Sequence, residues 1–242
     1  MASSPPPSKR RRKNQIEDVP NDASVQKKSP LIIFAHDATL FVTVAVFFWL
    51  ENRESIVELW KEMIGKALHA VDVVTFDYPY FSGGKKGPPP KAEKLVEYHL
   101  RIVKDAIAKY PGHPLILAGK SLGSRVSCMV AAQEDIDISA IICLGYPLKG
   151  ANEAVRIETL LQLTVPTMFV QGSKDALCSL DKLAAVRKKM KFVNELHVVD
   201  GGDHYLKIGK KHLESKGTTQ EEADDQAVKA VSVFVMKVLG ES

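Results

Sequence analysis

Three residues of this chain have the types and the order that acyl transfer needs: Ser121, Asp175 and His204. Ser121 stands in Gly119-Lys120-Ser121-Leu122-Gly123, between an apolar run at 114–118 and a stretch rich in helix formers at 121–133. A serine at the centre of G-x-S-x-G, on a strand-to-helix turn, is lifted above the strand end, its hydroxyl beside free helix N–H groups. The flanking glycines lack the Cβ atoms that would obstruct so tight a reversal. A hydroxyl is a weak nucleophile at neutral pH, so it needs a base within hydrogen-bond reach and an acid to orient that base. An apolar run at 166–170 leads into Gln171-Gly172-Ser173-Lys174-Asp175, and another at 195–199 leads into Asp200-Gly201-Gly202-Asp203-His204. Nucleophile, acid and base thus follow three different strand candidates, in the order Ser, Asp, His.

Each residue also has a plainer reading. Ser121 or Asp175 could cap the helix that follows it, and Asp203 rivals Asp175 as the acid. Among the histidines, His204 is the best candidate for the base: His36 ends a strand but precedes the elbow, His69 and His99 fall in helical stretches, and His197 lies inside a strand. Gly119-Lys120-Ser121 also hints at a phosphate loop, but Pro114 stands where the first glycine of G-x-x-x-x-G-K-[ST] belongs, so nucleotide binding is not expected.

The elements that must hold these loops alternate along the chain. Short, near-continuous apolar runs at 31–35, 71–76, 114–118, 140–144, 166–170 and 195–199 suit parallel strands covered on both faces. Amphipathic stretches at 54–69, 91–110, 121–133, 152–161, 180–190 and 222–239 lie between and after them; in the first, Ile56, Leu59, Trp60, Met63, Ile64, Ala67 and Leu68 form one stripe. Strand–helix alternation with short connections predicts an α/β fold, a mostly parallel, doubly wound sheet with helices on both faces. Gly83-Gly84 and Pro88-Pro89-Pro90 mark a longer loop.

With 242 residues and 45% hydrophobic content, the chain has enough material for one sizeable domain, expected over 29–242. Residues 1–28 are polar and Pro/Ser-rich, with Lys9-Arg10-Arg11-Arg12-Lys13 among them. They read as a disordered basic tail, a nuclear-import signal or simply a solvated charge run. Without the tail the domain is close to neutral, so nucleic-acid binding by the fold is not expected. Cys128, Cys143 and Cys178 are odd in number and lack metal-ligand spacing; they suit a reducing compartment, cytoplasmic or nuclear, with Cys128 and Cys143 as small core residues and no bound metal.

One segment fits poorly. Ala38 to Leu50 is unusually apolar and β-branched and, joined to 31–36, reaches membrane-spanning length. His36 and Asp37 interrupt the run, and a carboxylate within a bilayer is costly. An extra strand or irregular insertion is therefore the expectation, not a membrane span.

Phe34-Ala35-His36, Phe76-Asp77-Tyr78-Pro79-Tyr80, Gly119-Lys120-Ser121-Leu122-Gly123-Ser124-Arg125, Gly145-Tyr146-Pro147-Leu148, Gln171-Gly172-Ser173-Lys174-Asp175 and Gly202-Asp203-His204 together resemble one branch of the α/β-hydrolase superfamily. That branch contains testis-expressed protein 30 and the hydrolase-like domain of the third regulatory subunit of the NSL histone acetyltransferase complex; dienelactone hydrolases are more distantly similar. The resemblance implies an α/β-hydrolase fold with a serine-hydrolase triad on Ser121, Asp175 and His204, and no cofactor. Members of the group resemble His-Gly-x-Gly after the first strand, a glycine loop that supplies an oxyanion donor beside the N–H of the residue after the nucleophile, here Leu122. In this chain His36 is followed by Asp37-Ala38-Thr39-Leu40, so the second donor would come from near Asp37 or Ala38, and residues 37–58 read as a replaced segment, from a retained intron or alternative splice form. Two functions follow as expectations. The first is a serine hydrolase acting on a small-molecule ester or similar acyl bond. The second is a catalytically weak hydrolase-fold module that binds protein partners, with a chromatin association.

Overall fold

The structure is a computed structural model and describes residues 1, 28–35, 58–82, 90–133, 136–150 and 153–240. Most of the basic tail, residues 36–57 with Asp37 and Ala38, and the Gly83-to-Pro89 stretch lie outside the described residues.

Six strands form one parallel sheet. In chain order the elements are β1 (Leu31–Ala35), α1 (58–67), β2 (Asp72–Phe76), a short turn of helix α2 (Pro79–Ser82), a 3₁₀ turn (Ala92–Leu95) that runs into α3 (Val96–Lys109), β3 (Leu115–Lys120) and α4 (Leu122–Ala131). There follow β4 (Ala140–Leu144), α5 (Glu153–Gln162), β5 (Thr167–Gly172), α6 (Leu180–Arg187), β6 (Asn194–Val199), α7 (Lys210–Lys216) and α8 (Gln220–Val238). The spatial order is β2-β1-β3-β4-β5-β6. The chain winds outward from β1 to β2, then crosses back to β3 and proceeds away to β6. Ligands of such sheets bind where this direction reverses, beyond the carboxyl ends of the strands. Here that point lies between β1 and β3, where Ala35 is in register with Gly119.

Period-two side-chain alternation sorts the strand residues onto two cores. Leu31, Ile33, Leu115, Leu117, Ile141, Cys143 and Phe169 pack beneath α3, α4, α5 and α6. Ile32, Phe34, Ile116, Ala118, Ile142, Met168 and Val170 face α1 and α8. All five residues of β1 are buried, each large one contributing on the order of 2 kcal/mol by its removal from water. Cys128 and Cys143 fill the core as free thiols, as expected. No helix among the described residues is long and apolar enough to cross a membrane.

The sequence reading differs from the structure mainly at element ends. β3 and β5 run two residues further than their apolar cores, to Lys120 and Gly172, because ladder pairing with neighbouring strands continues past the last hydrophobic side chain. The single helix expected over 91–110 is a 3₁₀ turn followed by α3. α8 begins at Gln220, two residues earlier than read, where Thr219 and Glu222 form a reciprocal capping box. α7 went unread because six of its seven residues are polar and none is buried, so it leaves no apolar stripe. His69 falls in the turn after α1, with φ 48°, outside any helix.

On α3, His99 is fully buried. Its Nδ1 lies 3.1 Å from the Tyr78 hydroxyl, its ring meets Phe76 edge-on at 4.9 Å, and its Nε2 has no partner among the described residues. Burial pushes its pKa down from 6.5 to about 3. The folded state therefore holds this ring neutral where the unfolded chain would protonate it, and stability falls as pH drops below the unfolded value of 6.5. In His99→Gln the difference in unfolding free energy between pH 7 and pH 5 should shrink by about 2 kcal/mol, as measured by urea titration at each pH.

Candidate active site

The elbow is built by close approach of backbone to backbone. Ser121 takes φ 52° and ψ −116° between β3 and α4, a conformation that side-chain-bearing residues hold only when their surroundings impose it, at about 1–3 kcal/mol. Those surroundings are specific. A Cβ on Gly119 would lie 2.5 Å from the backbone of Gly123 and Ser124, and one on Gly123 would lie 2.6 Å from the carbonyl carbon of Ala35 at the end of β1. The Ser121 N–H donates to Leu144 O at 3.0 Å, and its carbonyl accepts from the Ser124 hydroxyl at 2.6 Å. Leu122 opens α4, so its N–H is one of the helix-start donors that have no intrahelical acceptor.

Asp175 lies just beyond β5. Its carboxylate, with no side-chain exposure, accepts from Leu177 N at 2.7 Å and from the Gln171 amide. Its Oδ2 also meets His204 Nδ1 at 2.8 Å, and His204 Nε2 meets Ser121 Oγ at 2.9 Å. The three side chains thus form one continuous hydrogen-bonded chain. Asp203, the rival acid, does not reach the histidine: its Oδ1 accepts from Tyr205 N and Lys207 N at 2.8 and 3.0 Å and closes its own turn. Ser121 likewise makes no side-chain cap to α4. Asp37 and Ala38 lie outside the described residues, so of the expected oxyanion donors only Leu122 has a described position.

Three residues that sequence reasoning passed over hold the histidine and acid in place. The Gln220 amide clasps the loop after His204, donating to Leu206 O at 3.1 Å and accepting from Ile208 N at 2.9 Å. Lys120, nearly buried, reaches Tyr205 O at 3.3 Å and lies 5.2 Å from the Tyr205 ring centre. Gln171 is fully buried at the end of β5. Two of them carried a signal: a lysine and a glutamine at the ends of otherwise apolar strands are polar groups that must find a partner when buried. Among the described residues no group of His, Cys, Asp and Glu side chains converges as a metal site.

A parallel, doubly wound sheet with this constellation on its carboxyl edge is the architecture of α/β-hydrolases. The family model described as alpha/beta hydrolase domain matches residues 55–236, and the chain belongs to that family. Solved structures agree on the fold. An α/β serine hydrolase homologue from Coxiella burnetii matches with a TM-score of 0.59 at 19% identity, over 84% of this chain and 86% of its own. Est1E from Butyrivibrio proteoclasticus, with ferulic acid bound, matches with a TM-score of 0.57 at 19% identity over 85% of this chain and 90% of its own. An α/β serine hydrolase without a lid from Xanthomonas campestris matches with a TM-score of 0.56 at 15% identity over 90% and 84%.

Since the Gly123 position abuts the backbone of β1, Gly123→Ala must push α4 off the sheet. The variant is expected to lose about 3 kcal/mol of stability, read as a lower denaturant midpoint.

Proposed function

We propose that the protein is a serine hydrolase that cleaves ester-like acyl bonds with Ser121 as nucleophile, His204 as general base and acid, and Asp175 as its orienting partner. The observation that carries this reading is the pair of contacts at His204: 2.9 Å from Nε2 to the serine oxygen and 2.8 Å from Nδ1 to a buried carboxylate. As Ser121 Oγ attacks a carbonyl carbon, its proton passes to His204 Nε2. Asp175, already accepting from Nδ1, stabilises the imidazolium and fixes the tautomer. The carbonyl oxygen gains charge and accepts from the Leu122 N–H. The imidazolium then protonates the leaving alkoxide, and water, activated by the same histidine, releases the acid from Ser121. The narrower kinship with the testis-expressed protein 30 group belongs to this proposal and rests on the motifs quoted above.

A fluorophosphonate probe tests the reading, because it reacts only with an activated serine. The chain should label, Ser121→Ala should not, and Asp175→Asn should slow p-nitrophenyl acetate hydrolysis on the order of 10⁴-fold. Folded protein that neither labels nor hydrolyses the ester would falsify the proposal.

A further inference from the structure

One turn of α4 beyond the nucleophile stands a cation with no counter-ion. Arg125 is 8% exposed, yet no hydrogen bond or ion pair to a described residue takes up its guanidinium. Its backbone N–H bonds to Ser121 O at 3.3 Å, and helical side chains lean toward the N-terminus, so its stem runs back toward the elbow. Arg156 on α5 lies near enough for its charge to be disfavoured by Arg125, after burial itself. Arg156 is committed to structure: its Nη1 donates to Pro147 O at 2.9 Å and also to Lys149 O, fixing the loop after β4. Its buried Nε has no partner. Between the two arginines sits Tyr146, whose hydroxyl donates to Arg156 O at 3.0 Å. Tyr146 directly follows Gly145, and a Cβ on that glycine would lie 2.8 Å from His204 O and 3.7 Å from the imidazole ring. The basic pair is therefore tied to the elbow through the first turn of α4 and to the His204 loop through Tyr146 and Gly145. Two carboxylates, Glu153 and Glu93, lie close enough to be felt by Arg156, but neither pairs with an arginine; Glu153 is engaged by Lys182 at 2.9 Å.

Arg125 is largely enclosed, yet none of its nitrogens is among the buried side-chain atoms without a partner, so the guanidinium keeps an opening to solvent through which a ligand can reach it. A planar guanidinium matches a ligand carboxylate in a two-point contact. We propose that Arg125, backed by Arg156, is a substrate subsite for a carboxylate, so that the preferred ester carries a second, ionised acid group. This deepens the serine-hydrolase reading and rests on it.

Mono-p-nitrophenyl glutarate and p-nitrophenyl valerate, which differ chiefly in that charge, provide the test. The wild-type chain is expected to prefer the glutarate ester by about tenfold or more in kcat/KM, the usual scale of a charge-assisted contact. Arg125→Met should erase the preference, leave valerate hydrolysis and fluorophosphonate labelling within about threefold of wild type, and keep the melting temperature, since the guanidinium makes no hydrogen bond or ion pair to a described residue that the substitution would remove. Arg125→Lys should keep part of the preference. Absence of any preference in the wild-type chain overturns the proposal, and this arm needs no variant. Equal loss on both esters in Arg125→Met, with a lower melting temperature, overturns it too, because the arginine would then be structural. If the folded chain neither labels nor hydrolyses, the parent reading fails separately. Calorimetric binding of glutarate then decides the subsite: binding that Arg125→Met abolishes supports it, and no binding by the wild-type chain overturns it.

Discussion

At Gly123 the first turn of α4 rests directly on the carbonyl of Ala35, closer than any side chain would allow. The site depends on that approach. It brings the end of β1 against the start of α4 at the place where the sheet changes winding direction, and it leaves Ser121 no relaxed conformation to adopt. The strain at φ 52° is held by the packing of β3, α4 and β1 and by the bond from Ser121 N to Leu144 O. A serine on a relaxed turn would be free to swing its hydroxyl toward the helix and cap it.

The partners of Ser121 are placed by a second set of constraints, mostly polar. The carboxylate of Asp175 is buried but saturated, with Leu177 N, Gln171 and His204 all directed at it. Buried charge is tolerated when its lone pairs are taken up this way. The loop that carries His204 is held from two sides, by Gln220 at the start of α8 and by Lys120 within the elbow itself. Asp224, one turn beyond Gln220, accepts from the Gln220 amide at 2.9 Å; burial raises its pKa, while Lys120 and that hydrogen bond oppose the rise. Lys120, next to Ser121, thus links β3, the histidine loop and the last helix.

Much of this was readable from residue order. Alternating apolar runs named all six strands, and G-x-S-x-G, a strand-end aspartate and a strand-end histidine named the three side chains that meet. Hydrophobic periodicity reports burial, however, and becomes silent where a ladder continues through polar residues, as at Gly119-Lys120 and Gln171-Gly172. It is silent also for α7, which buries nothing. The choice between Asp175 and Asp203 was open on spacing, since both sit in glycine-bearing loops after strands. In the structure, backbone N–H groups hold the Asp203 carboxylate on its own loop, while the Asp175 carboxylate meets the imidazole of His204.

Local chemistry therefore dictated the alternation of elements, the tight serine turn and the order of Ser121, Asp175 and His204, because those features depend on near neighbours and on simple periodicity. Residue order could not reveal that Lys120 would be enclosed and bound to Tyr205, that Gln220 would reach back 14 positions to Leu206, or that Arg125 would be largely enclosed with no hydrogen bond or ion pair from its guanidinium to a described residue. Each of these depends on which distant segments share a volume once six strands have stacked in the order β2-β1-β3-β4-β5-β6. Desolvation and hydrogen-bond satisfaction are properties of that shared volume, and they exist only after the chain has folded.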